Sequence, residues 1–168
     1  MLIRPAIPAD GLAVARVHVR SWQTAYRSLL PDEYLDQLRA EDRAERYDFS
    51  HVDPEKPYTQ VAEIEGAILG FATTMPAHDA DCAGCGELVA LYVDPDRWGQ
   101  GVGAVLARAA HARMLDRGFG AAILWMLEGN ARADRFYRRD GWLPDGASKQ
   151  DSMWGILVNA IRYRRGLS

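Results

Sequence analysis

Apolar and polar positions recur along this chain with two different periods, and each change of period marks a new element. From Leu12 the apolar residues Leu12, Ala15, Val19, Trp22 and Tyr26 advance by three or four, the spacing of one helix face. Asp10, just ahead of them, is a candidate N-cap. Before this helix, Leu2 to Arg4 predicts a short strand, ended by Pro5 and Pro8. Pro31 opens a second short helix with Tyr34, Leu35 and Leu38 inward, and the charged stretch Glu41 to Phe49 predicts a solvated third. Pro54 and Pro57 then force a loop. Beyond it the period shortens. Tyr58 to Ile64 and Ala67 to Met75 alternate as strands around the two-residue turn Glu65-Gly66, which predicts a β-hairpin. Glu87 to Val93 extends it to an antiparallel meander.

After Val93 the helical period returns. Val102, Val105, Leu106 and Ala109 mark one helix, with Gly118 as its stop, and Ala121 to Leu127 is an apolar run of strand length. A helix between two strands predicts that they run parallel, joined by a right-handed crossover. Asn130 caps a further helix with Ala133, Phe136 and Tyr137 inward and Gly141 at its end. Trp142 begins another strand, and Ile156 to Tyr163 forms the last, ahead of a basic end with Arg162, Arg164 and Arg165. The order is helices, antiparallel strands, then β-α-β-α-β. It defines an α/β (α+β) chain with residues 1–168 as one domain.

Composition narrows the function classes. A chain of 168 residues buries about two thirds of its unfolded surface on folding. Its 48% hydrophobic and 26% charged residues suit a globular protein. A net charge of -3 leaves no basic footprint for nucleic acid. No apolar stretch approaches the ~18 residues of a membrane span, and Met1 to Pro8 lacks the apolar centre of a signal peptide. A cytoplasmic protein is expected, with neither nucleic acid nor membrane as partner. Cys82 and Cys85, as CAGC, stand without a second pair, although His78, Asp79 and Asp81 lie nearby. Zinc usually takes four ligands, so two reduced thiols and no metal are expected.

The candidate chemistry lies in Glu87 to Gly103, ELVALYVDPDRWGQGVG. Glycines 99, 101 and 103 let the backbone adopt positive φ and let a ligand approach, and the helix behind them offers unpaired N–H groups to an anion. The loop therefore predicts a phosphate cradle. It is not a Walker A loop, since no Lys followed by Ser or Thr comes after the glycines. Gly99, Gly101 and Ala104 do fit GxGxxA, with Glu128 placed as a ribose-binding acid, so an NAD(P)-binding Rossmann-type protein is an alternative. Against it, Asp94 to Trp98 intervene between strand and glycines, and a meander precedes them.

LYVDPDRWGQGVG, followed downstream by NARADRFYRRDGW, resembles the GNAT superfamily of acetyl-CoA-dependent N-acetyltransferases. The resemblance implies a mixed, mostly antiparallel twisted sheet with helices on both faces and acetyl-CoA as co-substrate. It implies pyrophosphate contacts from Gly99, Gln100, Gly101, Val102, Gly103 and Ala104, and pairing of the pantetheine arm with the backbone of Leu91, Tyr92 and Val93, a backbone N–H near Leu91 facing the thioester carbonyl. Trp98 departs from the family's Gln or Arg at the start of the loop. Asn130 serves as helix cap, cofactor contact or both. By the same carry-over, Glu87 is the candidate general base and Tyr137 the acid that protonates the leaving CoA sulfur. Trp22 and Tyr26 are either core aromatics or walls of the acceptor pocket. The implied reaction is direct acetyl transfer to an amine of a small molecule or peptide. A catalytically inactive acyl-CoA sensor is the other alternative. Exposed strand edges permit a homodimer.

Overall fold

The computed structural model describes all residues, Met1–Ser168. In chain order the elements are β1 (Leu2–Pro5), α1 (Gly11–Ala25), α2 (Asp32–Asp36), α3 (Ala40–Ala44), β2 (Tyr58–Ile64), β3 (Ala67–Pro76), β4 (Gly86–Val93), α4 (Val102–Asp116), β5 (Ala121–Leu127), α5 (Ala131–Arg139), β6 (Leu143–Met153) and β7 (Ile156–Gly166). Seven strands form one sheet in the order β1-β2-β3-β4-β5-β7-β6. Every neighbouring pair is antiparallel except β4 and β5. A doubly wound parallel sheet is thereby excluded, and with it the Rossmann alternative; Glu128 is exposed beyond the end of β5.

Strand alternation sends side chains to two cores. Ala62, Leu69, Ala72, Leu88 and Val93 pack with Val102, Leu106, Ala110 and Met114 of α4. Val61 and Phe71, of opposite parity, pack with Val14 and Val17 of α1. The helix α4 turns Val102, Leu106, Ala107, Ala110 and Met114 inward, leaving Val105 and Ala109 half-buried. The tightest approach is where β4 begins. A Cβ on Gly86 would lie 2.6 Å from Met114 Sδ and 3.1 Å from Phe119, so any larger residue would have to displace the Met114 side chain.

Four local readings are corrected. Asp10 precedes α1 but makes no side-chain cap to it; its carboxylate accepts the Ile7 N–H at 2.8 Å and pairs with Arg4. The predicted Glu41 to Phe49 helix ends at Ala44, because Tyr47 and Phe49 turn inward and stack on each other at 5.1 Å. Strand β6 starts after Trp142, which is fully buried. Arg162, Arg164 and Arg165 belong to β7 rather than to a tail. Arg162 is buried and pairs with Asp79, Asp81 and Asp145 at 3.3, 2.5 and 2.8 Å. No helix is long and apolar enough to cross a membrane.

Candidate active site

The only parallel contact in the sheet is brief. Strands β4 and β5 pair at Gly86 with Ala122 and Glu87 with Ile123, and nowhere beyond. On its other side β4 carries a bulge: Ala90 pairs with Thr73 and Leu88 with Thr74, which leaves Val89 unmatched. A bulge bends its strand and increases the local twist, and here it sits where the two strands part. The gap between them is a cleft of about 490 Å³. Leu88 to Val93 form one wall, Trp125 to Leu127 the other, and the glycine loop with the first turns of α4 and α5 forms the mouth.

The backbone of β4 is left available along this gap. Asp94 N–H bonds Leu69 O at 2.8 Å, which fixes the alternation of the ladder: Tyr92 turns its main-chain groups to β3, whereas Leu91 and Val93 turn theirs to the cleft. The N–H of Leu91 thus faces the cleft. Tyr92 is corrected, since only its ring can meet a ligand. Val93 contributes less than expected, because its carbonyl already accepts from Ser21 Oγ and Trp98 Nε1, each at 2.8 Å.

At the mouth, Gly99 and Gly101 have φ of 77° and 84°, a region that disfavours side chains, and a Cβ on either would meet nothing within 4 Å. They form an open cradle ahead of the fifteen-residue helix α4, whose first N–H groups have no intrahelical partners. Gly101, Val102, Gly103 and Ala104 all line the cleft; Gln100 does not, and its amide donates to Asp96 O at 3.0 Å instead. Asn130 caps α5 by accepting from Ala133 N–H at 3.1 Å while also lining the cleft. Arg97, Arg132, Arg135 and Arg139 line it too, and no carboxylate does. The spacing of Arg132, Arg135 and Arg139 in RADRFYRR was visible, but on an exposed helix such a run ordinarily means a solvated face. Arg132 stacks on the Trp98 ring at 3.2 Å. A guanidinium therefore stands beside the loop where Trp98 replaces the family's polar residue. Glycine cradle, helix end and four guanidiniums fit the pyrophosphate of a coenzyme A thioester.

Deeper in, Tyr137 lines the cleft with its ring held by Phe136, Trp142 and Tyr163 at 5.3, 6.2 and 6.5 Å between centroids. Burial, then Tyr92 and Asp140, push its phenol well above the ordinary range, so it stays a neutral O–H donor. Glu87 lies just below the cleft lining, at the last paired rung of β4 and β5. Gly86 and Leu88 face α4, so Glu87 faces the α1 side. Its carboxyl is pushed up by burial and by Asp79, against the pull of Lys149 and His78. Tyr26 lines the cleft from α1, whereas Trp22 is 1% exposed, lies beneath Trp154 at 4.2 Å and backs the wall without forming it. Cys82 and Cys85 are buried free thiols, and no group of three or more His, Cys, Asp or Glu is placed to hold a metal.

A seven-stranded mixed sheet parted between one parallel pair, with a glycine loop feeding a helix at the opening, suits the holding of an acyl-CoA. The profile of the acetyltransferase (GNAT) family matches residues 19–142, and the chain belongs to that family, which takes acetyl-CoA as co-substrate. It is 29% identical over 128 residues to an uncharacterised N-acetyltransferase of Bacillus subtilis, covering 76% of this chain and 72% of that one. It is 35% identical over 111 residues to a mycothiol acetyltransferase of Thermobifida fusca, covering 62% of this chain but only 34% of that longer protein. A crystal structure of a GCN5-related N-acetyltransferase from Rhodopseudomonas palustris superposes with a TM-score of 0.77 at 21% identity, over 99% of this chain and 95% of the other.

Proposed function

We propose that the protein moves the acetyl group of acetyl-CoA directly onto a primary amine of a small molecule or a peptide, in the cytoplasm. The carrying observation is the parting of β4 from β5, which leaves the Leu91 N–H facing a cleft whose mouth suits a pyrophosphate. That N–H donates to the thioester carbonyl as negative charge gathers on its oxygen, and one such donor is worth about 3 kcal/mol. An alkylamine has a pKa of about 10 and arrives protonated, so its proton must leave before nitrogen can attack. Glu87 receives that proton, directly or through water. The C–N bond forms, the nitrogen gives up its second proton to water, the C–S bond breaks, and Tyr137 gives its phenolic proton to the departing sulfur and regains one from solvent. Tyr26 and Tyr92 form the aromatic wall on the acceptor side.

Two assays test this reading. Acetyl-CoA should raise the melting temperature while NAD and NADP leave it unchanged. Free CoA thiol should then appear only when an amine from a panel of small amines and peptide N-termini is added. Stabilisation by acetyl-CoA with no thiol release for any amine would leave a binding module and not an enzyme.

A further inference from the structure

A second, smaller pocket of about 140 Å³ lies on the acceptor side, between α3 and the β6–β7 turn. Its lining includes Arg39, Arg43, Arg46 and Trp154, with Asp42 as its one acid. Arg43 is the unusual member. It is half-buried and makes no ion pair; its guanidinium lies over the rings of Trp154 and Tyr47, at 4.6 and 5.0 Å, and Nε reaches Tyr47 Oη at 3.4 Å. A partly desolvated guanidinium ordinarily has an acidic partner. Arg46 has none either, and Arg39 meets only exposed Glu41 at 4.0 Å.

The turn beneath this pocket is strained and pinned. Trp154 has φ of 50°, a rare conformation for a bulky residue. The Tyr34 hydroxyl holds it with one shared hydrogen, donated chiefly to Trp154 O at 2.9 Å with Met153 O at 3.2 Å, and Trp22 stacks below. Met153 lines the main cleft and Trp154 lines the basic pocket, so consecutive residues of one turn form the rim between them. Two ring contacts also connect the sites: Trp154 with His18 at 4.5 Å, and His18 with Tyr92 at 4.4 Å. Glu87, with Asp79, Asp151, Lys149 and His78 around it, lies near the parting strands, while three arginines and one acid line the pocket beyond Trp154.

We propose that this pocket binds an anionic group, a carboxylate or a phosphate, carried by the acceptor at a distance from its reacting amine. The proposal rests on the acetyl-transfer reading and names the acceptor class: an amine with a remote anion. The amine lies toward Glu87, the chain crosses the Met153–Trp154 rim, and the anion supplies the partner that Arg43 lacks. Charge-assisted hydrogen bonds from a fixed guanidinium are the strong ones.

The test compares hexylamine, ω-aminohexanoate and ω-aminohexyl phosphate, with their butyl and octyl homologues, as acceptors. At least one anionic amine should show a KM about tenfold or more below its neutral counterpart. The carboxylate and phosphate arms identify which anion is preferred. Arg43→Gln should bring the ratio close to one, and Arg43→Lys should restore part of it. Equal KM for charged and neutral amines at every length, or a preference that survives Arg43→Gln, overturns the pocket while leaving acetyl transfer standing. If no amine is turned over, the transfer reading fails separately. Calorimetric titration of the same amines into the acetyl-CoA-saturated protein then decides the pocket: tighter binding of an anionic amine, lost in Arg43→Gln, supports it, and equal binding overturns it.

Discussion

Tyr137 keeps its proton because burial and neighbouring groups oppose the phenolate, so at physiological pH it is an O–H donor, the state in which the proposed reaction uses it. A free thiol has a pKa of about 8.5, so its protonation helps without being obligatory. Tyr137→Phe keeps the ring among Phe136, Trp142 and Tyr163 and removes only the hydroxyl. We expect kcat to fall by about 100-fold with acetyl-CoA affinity nearly unchanged, measured by pre-steady-state thiol release and equilibrium titration. Equal rates would return the residue to a packing role. Glu87 has the opposite sign of consequence. Its raised pKa means that the folded chain holds this proton to higher pH than the unfolded chain does. Stability therefore falls as pH rises from the ordinary carboxyl value, about 4.3, through the raised one, and is level above. Glu87→Gln removes the buried charge, so it should melt higher than wild type at neutral pH, with the gain fading on acidification. It should also slow acetylation about 100-fold near neutrality, a deficit that narrows as the pH approaches the amine's own pKa of about 10.

Among the elements, β4 does the most, pairing with β3 throughout and with β5 at only two rungs. Gly86 permits that junction by its contact with Met114. Gly86→Ala should cost about 1–3 kcal/mol in denaturant unfolding. If the contact is the cause, Gly86→Ala combined with Met114→Ala should cost less than the two single changes together. The hairpin of β2 and β3, the strand β5 and the cap at Asn130 were legible in the sequence, because each combines period with a turn or cap residue. The parting of β4 from β5 was not. It follows from a bulge at Val89, and an extra residue in one strand leaves the apolar pattern intact. The full span of β6 was also hidden, since an exposed edge strand reading LPDGASKQDSM has no buried face to alternate. At the site, the glycine loop and Tyr137 were named by their motif. Arg97, Arg132, Arg135 and Arg139 were missed because only the fold brings two elements to one mouth.

Across the whole molecule, the cleft separates two surfaces with different tasks. Arginines and the glycine loop crowd the mouth on the side of α4 and α5, while Glu87 and the aromatic cluster of Tyr26, Tyr92 and Trp154 occupy the α1 side. Two substrates can thus approach from opposite faces and meet where β4 and β5 part. That geometry needs no acetylated enzyme residue. A single-turnover reaction with isotope-labelled acetyl-CoA, an accepted amine and excess protein, quenched through its time course, tests it most directly by mass spectrometry. The account predicts label passing from acetyl-CoA to the amine nitrogen with one CoA released per acetyl transferred, and an intact-protein mass that never gains an acetyl group. Label on the protein that later moves to the amine, or acetyl-CoA consumed with no labelled amine formed, would contradict it.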